Sequence, residues 1–237
     1  MQIAPDKFAT KSGYLNAWAQ HELETLAAEN QTKQNTMNVK KRMQEVINAE
    51  AKAIQSIHVN DQFEKAVLAL KNCQGKVLTT GIGKAGHIAN KFAATLCSTG
   101  TPAVFLHAAE AAHGDLGIVS EKDVLIAFST SGKSREVLEI LEMARHLGVV
   151  HLIGITSHPD SQLREHCELI LDMGETGEAC ILGLTPTNSI AVMLAISDAI
   201  AIALMELKGF TREEYGKRHH GGYLGRMTRT DNMPHKS

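Results

Sequence analysis

The amino-acid sequence predicts an α/β fold: a doubly wound, five-stranded parallel sheet with helices on both faces, of the flavodoxin-like or Rossmann-like kind. From residue 76 onward, short apolar runs alternate with amphipathic helical patterns, which is typical of βαβ units. The loops that follow the apolar runs are rich in glycine and hydroxyl side chains. With 237 residues, of which 43% are hydrophobic, the chain is long enough to bury the core of one large α/β domain.

The predicted elements begin with a strand at residue 76 and end with a long apolar helix. The strands are short runs of apolar and β-branched residues, whereas the helices carry an apolar stripe that recurs every three or four positions. We predict strands at 76–80, 103–106, 123–128, 150–156 and 167–173, and helices at 84–97, 134–147 and 187–207. Parallel sheets bind ligands beyond the carboxyl ends of their strands, so we expect the loops after the strands to carry the chemistry.

The first part of the chain has helical patterns and no strand pattern. Apolar residues share one face over 14–28, and a second amphipathic stripe begins at about Asn38. Because Met37 begins what resembles a complete domain, we predict an N-terminal helical extension over 1–36 and one α/β domain over 37–237.

Charge and composition exclude several classes of protein. A formal net charge of −2 and only 4% aromatic residues argue against nucleic-acid binding, which needs a basic face and stacking side chains. The apolar segment 189–207 contains Asp198 near its middle, so we expect a core or subunit-interface helix and no membrane span. The N-terminus lacks a signal-peptide pattern and the four cysteines are scattered, so we expect a cytoplasmic protein without a metal site.

The loop "TTGIGKAGH" (79–87) joins the first predicted strand to a helix. Its glycines have GxGxxG spacing, but no acidic residue ends the second strand to bind a ribose, which argues against a dinucleotide site. A cation in the first turn of a helix is poorly placed unless a bound anion offsets the helix dipole. Lys84 is therefore a candidate functional residue.

The loop "STSGKS" (129–134) follows the third predicted strand and opens a helix. Hydroxyl groups together with backbone amides at a helix start form a phosphate site that needs no metal. The ending Gly132-Lys133-Ser134 leaves a nucleotide-triphosphate P-loop as an alternative, although Ala127 stands where such a loop has its first glycine.

Two further loops carry polar side chains that would face the same edge of the sheet. The loop over 106–117 contains His107 and His113, which are candidate acid–base groups or parts of a polar helix cap. The loop over 177–189 ends in residues that suit a helix N-terminus. A helix N-terminus gives no reason for a carboxylate at Glu178. Glu178 is therefore a candidate functional carboxylate of the crevice.

Taken together, the loops resemble those of a known family. The strings "GIGKAGH", "STGTP", "HAAEAAHGDLG", "FSTSGKSREV", "EACILGLTPTNS" and "HHGGYLGR" are similar to the sugar isomerase (SIS) domain of arabinose-5-phosphate isomerases and follow the family's order over about residues 40–228. The resemblance implies interconversion of ribulose 5-phosphate and arabinose 5-phosphate for the synthesis of 3-deoxy-octulosonate (Kdo), a component of lipopolysaccharide and capsule. It also implies that no cofactor is needed and that the protein is a homotetramer.

The resemblance also assigns roles to individual residues. It implies catalytic roles for Lys84, Glu136, Glu178 and His219. It implies substrate contacts for Gly83, Gly100, Thr101, His107, His113, Ser129, Thr130, Ser131, Gly132 and Ser134. The segment "KRHHGGYLGR" would then bring His219 to the crevice of a neighbouring subunit.

The implied chemistry moves a proton between C1 and C2 of the sugar through a cis-enediol. The sequence leaves open whether Glu178 or Glu136 is the base, and we expect burial to raise the pKa of the carboxylate that acts. Lys84 would stabilise the enediolate and His219 would serve as acid and base.

The chain departs from the family pattern at three places. Members often carry two CBS domains after the SIS domain, and we expect this chain to be a form without them, with Kdo or its nucleotide-activated form as a feedback ligand at the active site itself. Lys133 stands where an acid is usual and His220 where proline is usual, and neither has an assigned role. An isomerase of a heptose or hexulose phosphate and a regulator that binds a sugar phosphate without turnover remain alternatives.

Overall fold

The structure, a computed structural model, describes residues 24–25, 37–219, 221 and 223. The extension predicted over 1–36, with its helix at 14–28, falls almost wholly outside the described residues, as does His220. By its own contacts the chain divides into two units, Met1–Ile47 and Asn48–Ser237, and the second contains the whole sheet. The division at residue 36 stays a prediction.

The centre of the fold is a five-stranded sheet in which every neighbouring pair of strands is parallel, as predicted. The spatial order is β2-β1-β3-β4-β5, the flavodoxin-like order. Each strand lies within two residues of its predicted position. The strands are β1 Val77–Gly81, β2 Ala103–His107, β3 Val124–Phe128, β4 His151–Thr156 and β5 Leu169–Asp172.

Helices precede, connect and follow the strands. The helices are α1 Val39–Gln55, α2 Asp61–Asn72, α3 Gly83–Ser98, α4 Ala108–Ala111, α5 Arg135–His146, α6 Leu163–His166, α7 Asn188–Leu207 and α8 Arg212–Arg218, with a 3-10 turn at Asp115–Ile118. Helix α2 is absent from the predicted elements. It begins at a capping signal, because the Asn60 side chain accepts a hydrogen bond from the Gln62 amide and Asp61 starts the first turn.

Two hydrophobic cores lie on the opposite faces of the sheet. Successive strand residues alternate between them: Val124 belongs to the core shared with α2, α3 and α7, whereas Leu125 belongs to the core shared with α5. The first core includes an edge-to-face contact between Phe92 and Phe128, whose ring centroids lie 5.9 Å apart. Burial on both faces explains why the inner strand β3 is a continuous apolar run.

Helix α7 is, within the described part of the chain, the one helix long and apolar enough to cross a membrane. It packs against α2 and α3 in the first core and buries residues from Asn188 to Leu204 along one face. Asp198, near its middle, forms an ion pair with Lys91 of α3. These contacts confirm that α7 is a core helix. Part of its opposite face is exposed, including Ile202 and Leu207.

Candidate active site

A crevice of about 400 Å³ opens at the carboxyl edge of the sheet, beside the ends of β1 and β3. The chain passes from β1 outward to β2 and then returns past β1 to β3, so the loops after β1 and β3 diverge to opposite faces at this point. Such a switch in strand order is where open α/β sheets bind ligands. Polar side chains in the lining include Lys84, the hydroxyls of 129–134, His158 and Glu178.

The loop after β1 is short because two glycines let the strand and α3 approach closely. A Cβ added at Gly86 would lie 2.8 Å from the Gly81 carbonyl oxygen, and one added at Gly81 would lie 3.1 Å from the Gly86 nitrogen. Between these two glycines, Gly83 adopts the left-handed backbone conformation, with φ of 58°. This turn places Lys84, whose side chain is exposed, in the first turn of α3 at the crevice.

The hydroxyl-rich loop connects β3 to α5. Ser129 is buried, its amide donates to the Ile155 carbonyl at 3.1 Å, and its Oγ lies 3.1 Å from the Ser134 Oγ. Ser134 immediately precedes the first residue of α5, whose N-terminus favours anions. The loop therefore offers hydroxyl groups beside a helix start, as a phosphate site requires.

The chain after β4 anchors this loop from the side. The Thr130 carbonyl accepts hydrogen bonds from the Ser157 amide at 3.1 Å, the Ser157 Oγ at 2.9 Å and the Thr156 Oγ1 at 3.0 Å. The Gly132 carbonyl accepts a further bond of 3.0 Å from the Leu163 amide. These bonds fix the backbone of the loop before any ligand binds.

Glu178 lines the crevice and also caps helix α7. Its Oε2 accepts hydrogen bonds from the Thr187 amide at 2.7 Å and the Thr187 Oγ1 at 3.1 Å, while its Oε1 accepts one from the Ser189 Oγ. Burial by itself raises the pKa of Glu178, but the hydrogen bonds from Ser189 and Thr187 outweigh it and hold the pKa below its usual value. The expectation of a raised pKa is wrong for this residue, which is ionised at neutral pH.

The second candidate carboxylate, Glu136, lies in the first turn of α5 and is half-buried. It is not among the described residues that line the crevice. Lys133 is exposed in the loop before α5 and still has no assigned role.

Three residues assigned by resemblance lie away from the crevice in this chain. Gly100 and Thr101 precede β2, at the amino edge of the sheet, where the Lys208 Nζ lies 3.1 Å from the Thr101 Oγ1. His219 follows α8, stacks on Tyr215 with ring centroids 3.9 Å apart, and places its Nδ1 3.0 Å from the Tyr215 carbonyl oxygen. A single chain therefore does not bring these residues together with Lys84.

The two histidines of the loop after β2 are exposed. His107 ends β2 and pairs in register with Gly81, which places it beside the loop that carries Lys84. His113 lies between α4 and the 3-10 turn. In the ranges that the structure describes, no three His, Cys, Asp or Glu side chains group as a metal site would require.

Two features near the crevice were not predicted from the sequence. His158, in the loop after β4, lines the crevice and bonds to the phosphate-type loop. Cys180 accepts hydrogen bonds at its Sγ from the Thr185 amide at 3.1 Å and the Leu184 amide at 3.3 Å. These bonds lower the pKa of Cys180 to about 7. His158 forms part of no motif singled out in the sequence, Cys180 lies within one that was quoted for other residues, and only the folded loops reveal the partners of both.

The flavodoxin-like sheet and the hydroxyl-lined crevice define an α/β protein with a site suited to a small phosphorylated ligand. Residues 70–203 match the SIS domain family, and the chain belongs to that family. The resemblance that the loop motifs predicted is thereby confirmed, and the P-loop alternative is set aside.

Individual relatives refine this assignment. The chain is 44% identical over 185 residues to the arabinose 5-phosphate isomerase KdsD of Pseudomonas aeruginosa, covering 77% of this chain and 56% of that protein. The chain thus spans about half the length of the curated relatives it matches. A structure from Escherichia coli CFT073, solved in complex with A5P, is 40% identical with a TM-score of 0.74, over 77% of this chain and 100% of that one.

A second solved structure is similar over nearly the same region. It is a candidate phosphosugar isomerase involved in capsule formation from Bacteroides fragilis, 46% identical with a TM-score of 0.76. The match covers 78% of this chain and 100% of that chain.

Proposed function

We propose that this protein is an aldose–ketose isomerase that interconverts D-ribulose 5-phosphate and D-arabinose 5-phosphate. The observation that carries the proposal is the crevice, in which a phosphate-type loop lies beside a lysine and an ionised carboxylate. The KdsD relatives and the neighbour in complex with A5P support the choice of a five-carbon sugar phosphate.

The phosphate group of the sugar binds the hydroxyl-rich loop. Ser129, Ser131 and Ser134 donate hydroxyl hydrogen bonds to its oxygens, and the amides that begin α5 supply the remaining donors. Thr130 and Gly132 hold the loop in shape through their carbonyls, which are bonded to the chain after β4. Gly83 permits the turn that brings the first loop to the ligand.

Glu178 is the base that transfers the proton between the sugar carbons. Of the two candidate carboxylates it is the one that lines the crevice, and its ionised form at neutral pH can accept a proton from C1 or C2. Lys84, in the same lining, stabilises the negative charge of the enediolate. Glu136 and His219 complete the catalytic set, with His219 as the acid and base for the hydroxyl protons, and no cofactor is required.

The complete site forms between copies of the chain. Gly100, Thr101 and His219 lie away from the crevice, so the copy that supplies them is a neighbour in a homo-oligomer, which we propose is a tetramer. An apolar groove of about 840 Å³ between α2 and α7 supports assembly, because such a surface needs cover. His107 and His113 contact the substrate from the loop after β2.

Subunit mixing tests the shared site. Glu178→Gln and His219→Ala oligomers should each be nearly inactive, and mixing them after mild dissociation should restore activity, because hybrid sites combine intact residues of both chains. No recovery, although exchange of subunits is verified by mass spectrometry, would contradict a shared site.

The chemistry of the product indicates which pathway consumes it. We propose that arabinose 5-phosphate made in the cytoplasm is consumed in Kdo synthesis for lipopolysaccharide or capsule, and that Kdo or its nucleotide-activated form competes at the crevice. Isomerase assays with increasing Kdo test the feedback, and an unchanged rate would remove it.

A substrate panel tests the proposed function itself. Purified protein should turn over ribulose 5-phosphate and arabinose 5-phosphate in preference to hexulose and heptose phosphates, and pentose phosphates should raise its melting temperature. Preferred turnover of a hexulose or heptose phosphate would show a related isomerase, and binding of pentose phosphates without turnover would show a regulator.

A further inference from the structure

One side chain in the crevice has no role in the proposed mechanism. His158 lies two residues after β4, is exposed, and lines the crevice together with the hydroxyl-rich loop, Lys84 and Glu178. It belongs to none of the four loops whose composition indicated a function. The contacts of His158 indicate its role.

The imidazole of His158 is held by one of its two nitrogens. Nδ1 lies 3.0 Å from the Thr130 carbonyl oxygen and 3.2 Å from the Ser157 Oγ. A carbonyl oxygen can only accept, so Nδ1 carries the hydrogen and donates it to Thr130. The backbone amide of His158 is also held, because it donates to the Thr156 Oγ1 at 3.1 Å. The hydrogen bonds described for this ring all involve Nδ1, so the second nitrogen, Nε2, is available to a ligand of the crevice that His158 lines.

The imidazole ring of His158 is fixed to the hydroxyl-rich loop. Thr130 lies within the loop to which we assign the phosphate, and its carbonyl collects hydrogen bonds from Thr156, Ser157 and His158. A ring fixed to that loop keeps a constant distance from any ligand the loop holds. Lys84 and Glu178 are the other titratable groups among the described lining residues. A dianionic phosphate has more acceptor sites than Lys84 alone can fill, so a further donor beside the loop would add to its binding.

We propose that His158 binds the phosphate of the substrate directly as an imidazolium, with Nε2–H donating to a phosphate oxygen while Nδ1–H stays on Thr130. The proposal rests on the assignment of the phosphate to the loop at 129–134. His158 is then a binding residue, remote from the sugar carbons, and sets affinity for the phosphorylated end of the ligand. It contributes to KM and leaves the proton-transfer step unchanged.

Two conservative substitutions separate the two nitrogens. The amide nitrogen of asparagine superposes on Nδ1, so His158→Asn keeps a donor for Thr130 and removes the group at Nε2. The amide nitrogen of glutamine reaches the position of Nε2, so His158→Gln keeps the donor to phosphate and removes the bond to Thr130. His151→Asn is the matched control, because His151 is exposed at the opposite, amino end of β4.

We expect His158→Asn to weaken binding of inorganic phosphate, measured by calorimetry, by about tenfold. KM for arabinose 5-phosphate should rise by a similar factor while kcat stays within about twofold, and the melting temperature should not change. His158→Gln should retain most of the affinity, and His151→Asn should match the wild type.

The opposite pattern overturns the proposal. If His158→Asn binds phosphate normally while His158→Gln loses affinity and stability, the histidine only braces the loop through Thr130. If the wild type does not bind phosphate at all, the proposal fails together with its premise. Phosphate binding that depends on His158 in a protein that isomerises no pentose phosphate would sustain this inference and refute the proposed function.

Discussion

Replacing Gly132 by alanine should destabilise the hydroxyl-rich loop, because the added methyl group has no room. Gly132 is buried and has φ of 63°, a left-handed conformation that costs an L-residue about 1–2 kcal/mol. A Cβ at this position would lie 2.7 Å from the Cβ of Ser161, nearer still to its Oγ, and 3.2 Å from the Thr156 Oγ1. Overpacking of this kind costs about 1–3 kcal/mol.

The loop cannot relieve this clash by a small movement. The Gly132 carbonyl accepts from the Leu163 amide and the Thr130 carbonyl accepts from the Ser157 amide, so the two segments are tied on both sides of the contact. We therefore expect Gly132→Ala to lower the free energy of unfolding by about 2–5 kcal/mol, the sum of strain and overpacking. A displaced loop should also raise KM for the sugar phosphate by about tenfold or more.

Urea denaturation and steady-state kinetics measure the two effects. Gly174→Ala is the matched control, because Gly174 has φ of 73° and nothing lies within 4 Å of an added Cβ, so it should cost only the backbone strain of about 1–2 kcal/mol. Combining Gly132→Ala with Ser161→Gly removes both clashing atoms of Ser161. A double-mutant cycle should therefore give a coupling energy of about 1–3 kcal/mol between the two positions. Equal costs for Gly132→Ala and Gly174→Ala, or no coupling to Ser161, would refute the reasoning.

Three further predictions concern charged and ionisable groups. Glu178→Gln should lower the free energy of unfolding at neutral pH by about 1 kcal/mol, since a capping carboxylate is lost. Because folding lowers the pKa of Glu178, this difference should vanish as the pH falls through that pKa and the wild-type carboxylate is protonated; a gap that persists in acid contradicts the capping role. Asp123→Asn removes the charge of a buried carboxylate that pairs with the partly exposed Lys76 (Nζ–Oδ2 2.7 Å) and should cost about 2 kcal/mol in urea denaturation, whereas a loss below about 1 kcal/mol contradicts it. Iodoacetamide should alkylate Cys180 with a rate that rises through about pH 7 and leave Cys167, whose pKa burial raises to about 12, unmodified in the folded protein; equal labelling would be the contrary result.

The sheet could be predicted because its inner strands, β1, β3 and β4, are buried on both faces. The run "VLIAF" over 124–128 is apolar at every position, and it is too short to be a typical helix. Helix α2 was missed because the continuous apolar run over 66–70 hides the helical spacing of its three buried residues, Phe63, Ala66 and Leu70, and only packing on the sheet reveals its buried face. The ends of the predicted elements differ from the observed ones by at most two residues, because caps depend on partners elsewhere in the chain.

The candidate site was predictable only in part. Loop composition indicated Lys84 and the serines of 129–134, which the fold brings to one crevice. The direction of the pKa shift at Glu178 was not predictable, because it depends on hydrogen bonds from the beginning of α7, nine to eleven residues further along the chain. His158 was missed for a similar reason, since a single histidine after a strand forms no motif and its bond to Thr130 spans 28 residues.

The most direct test of the central claim is conversion of ribulose 5-phosphate by the purified protein in D₂O, followed by NMR. An enediol mechanism with a carboxylate base predicts arabinose 5-phosphate that carries solvent deuterium at C2, and it predicts that Glu178→Gln abolishes this incorporation while the variant stays folded. Failure of the folded wild type to form arabinose 5-phosphate, or full incorporation of deuterium by Glu178→Gln, would contradict the account.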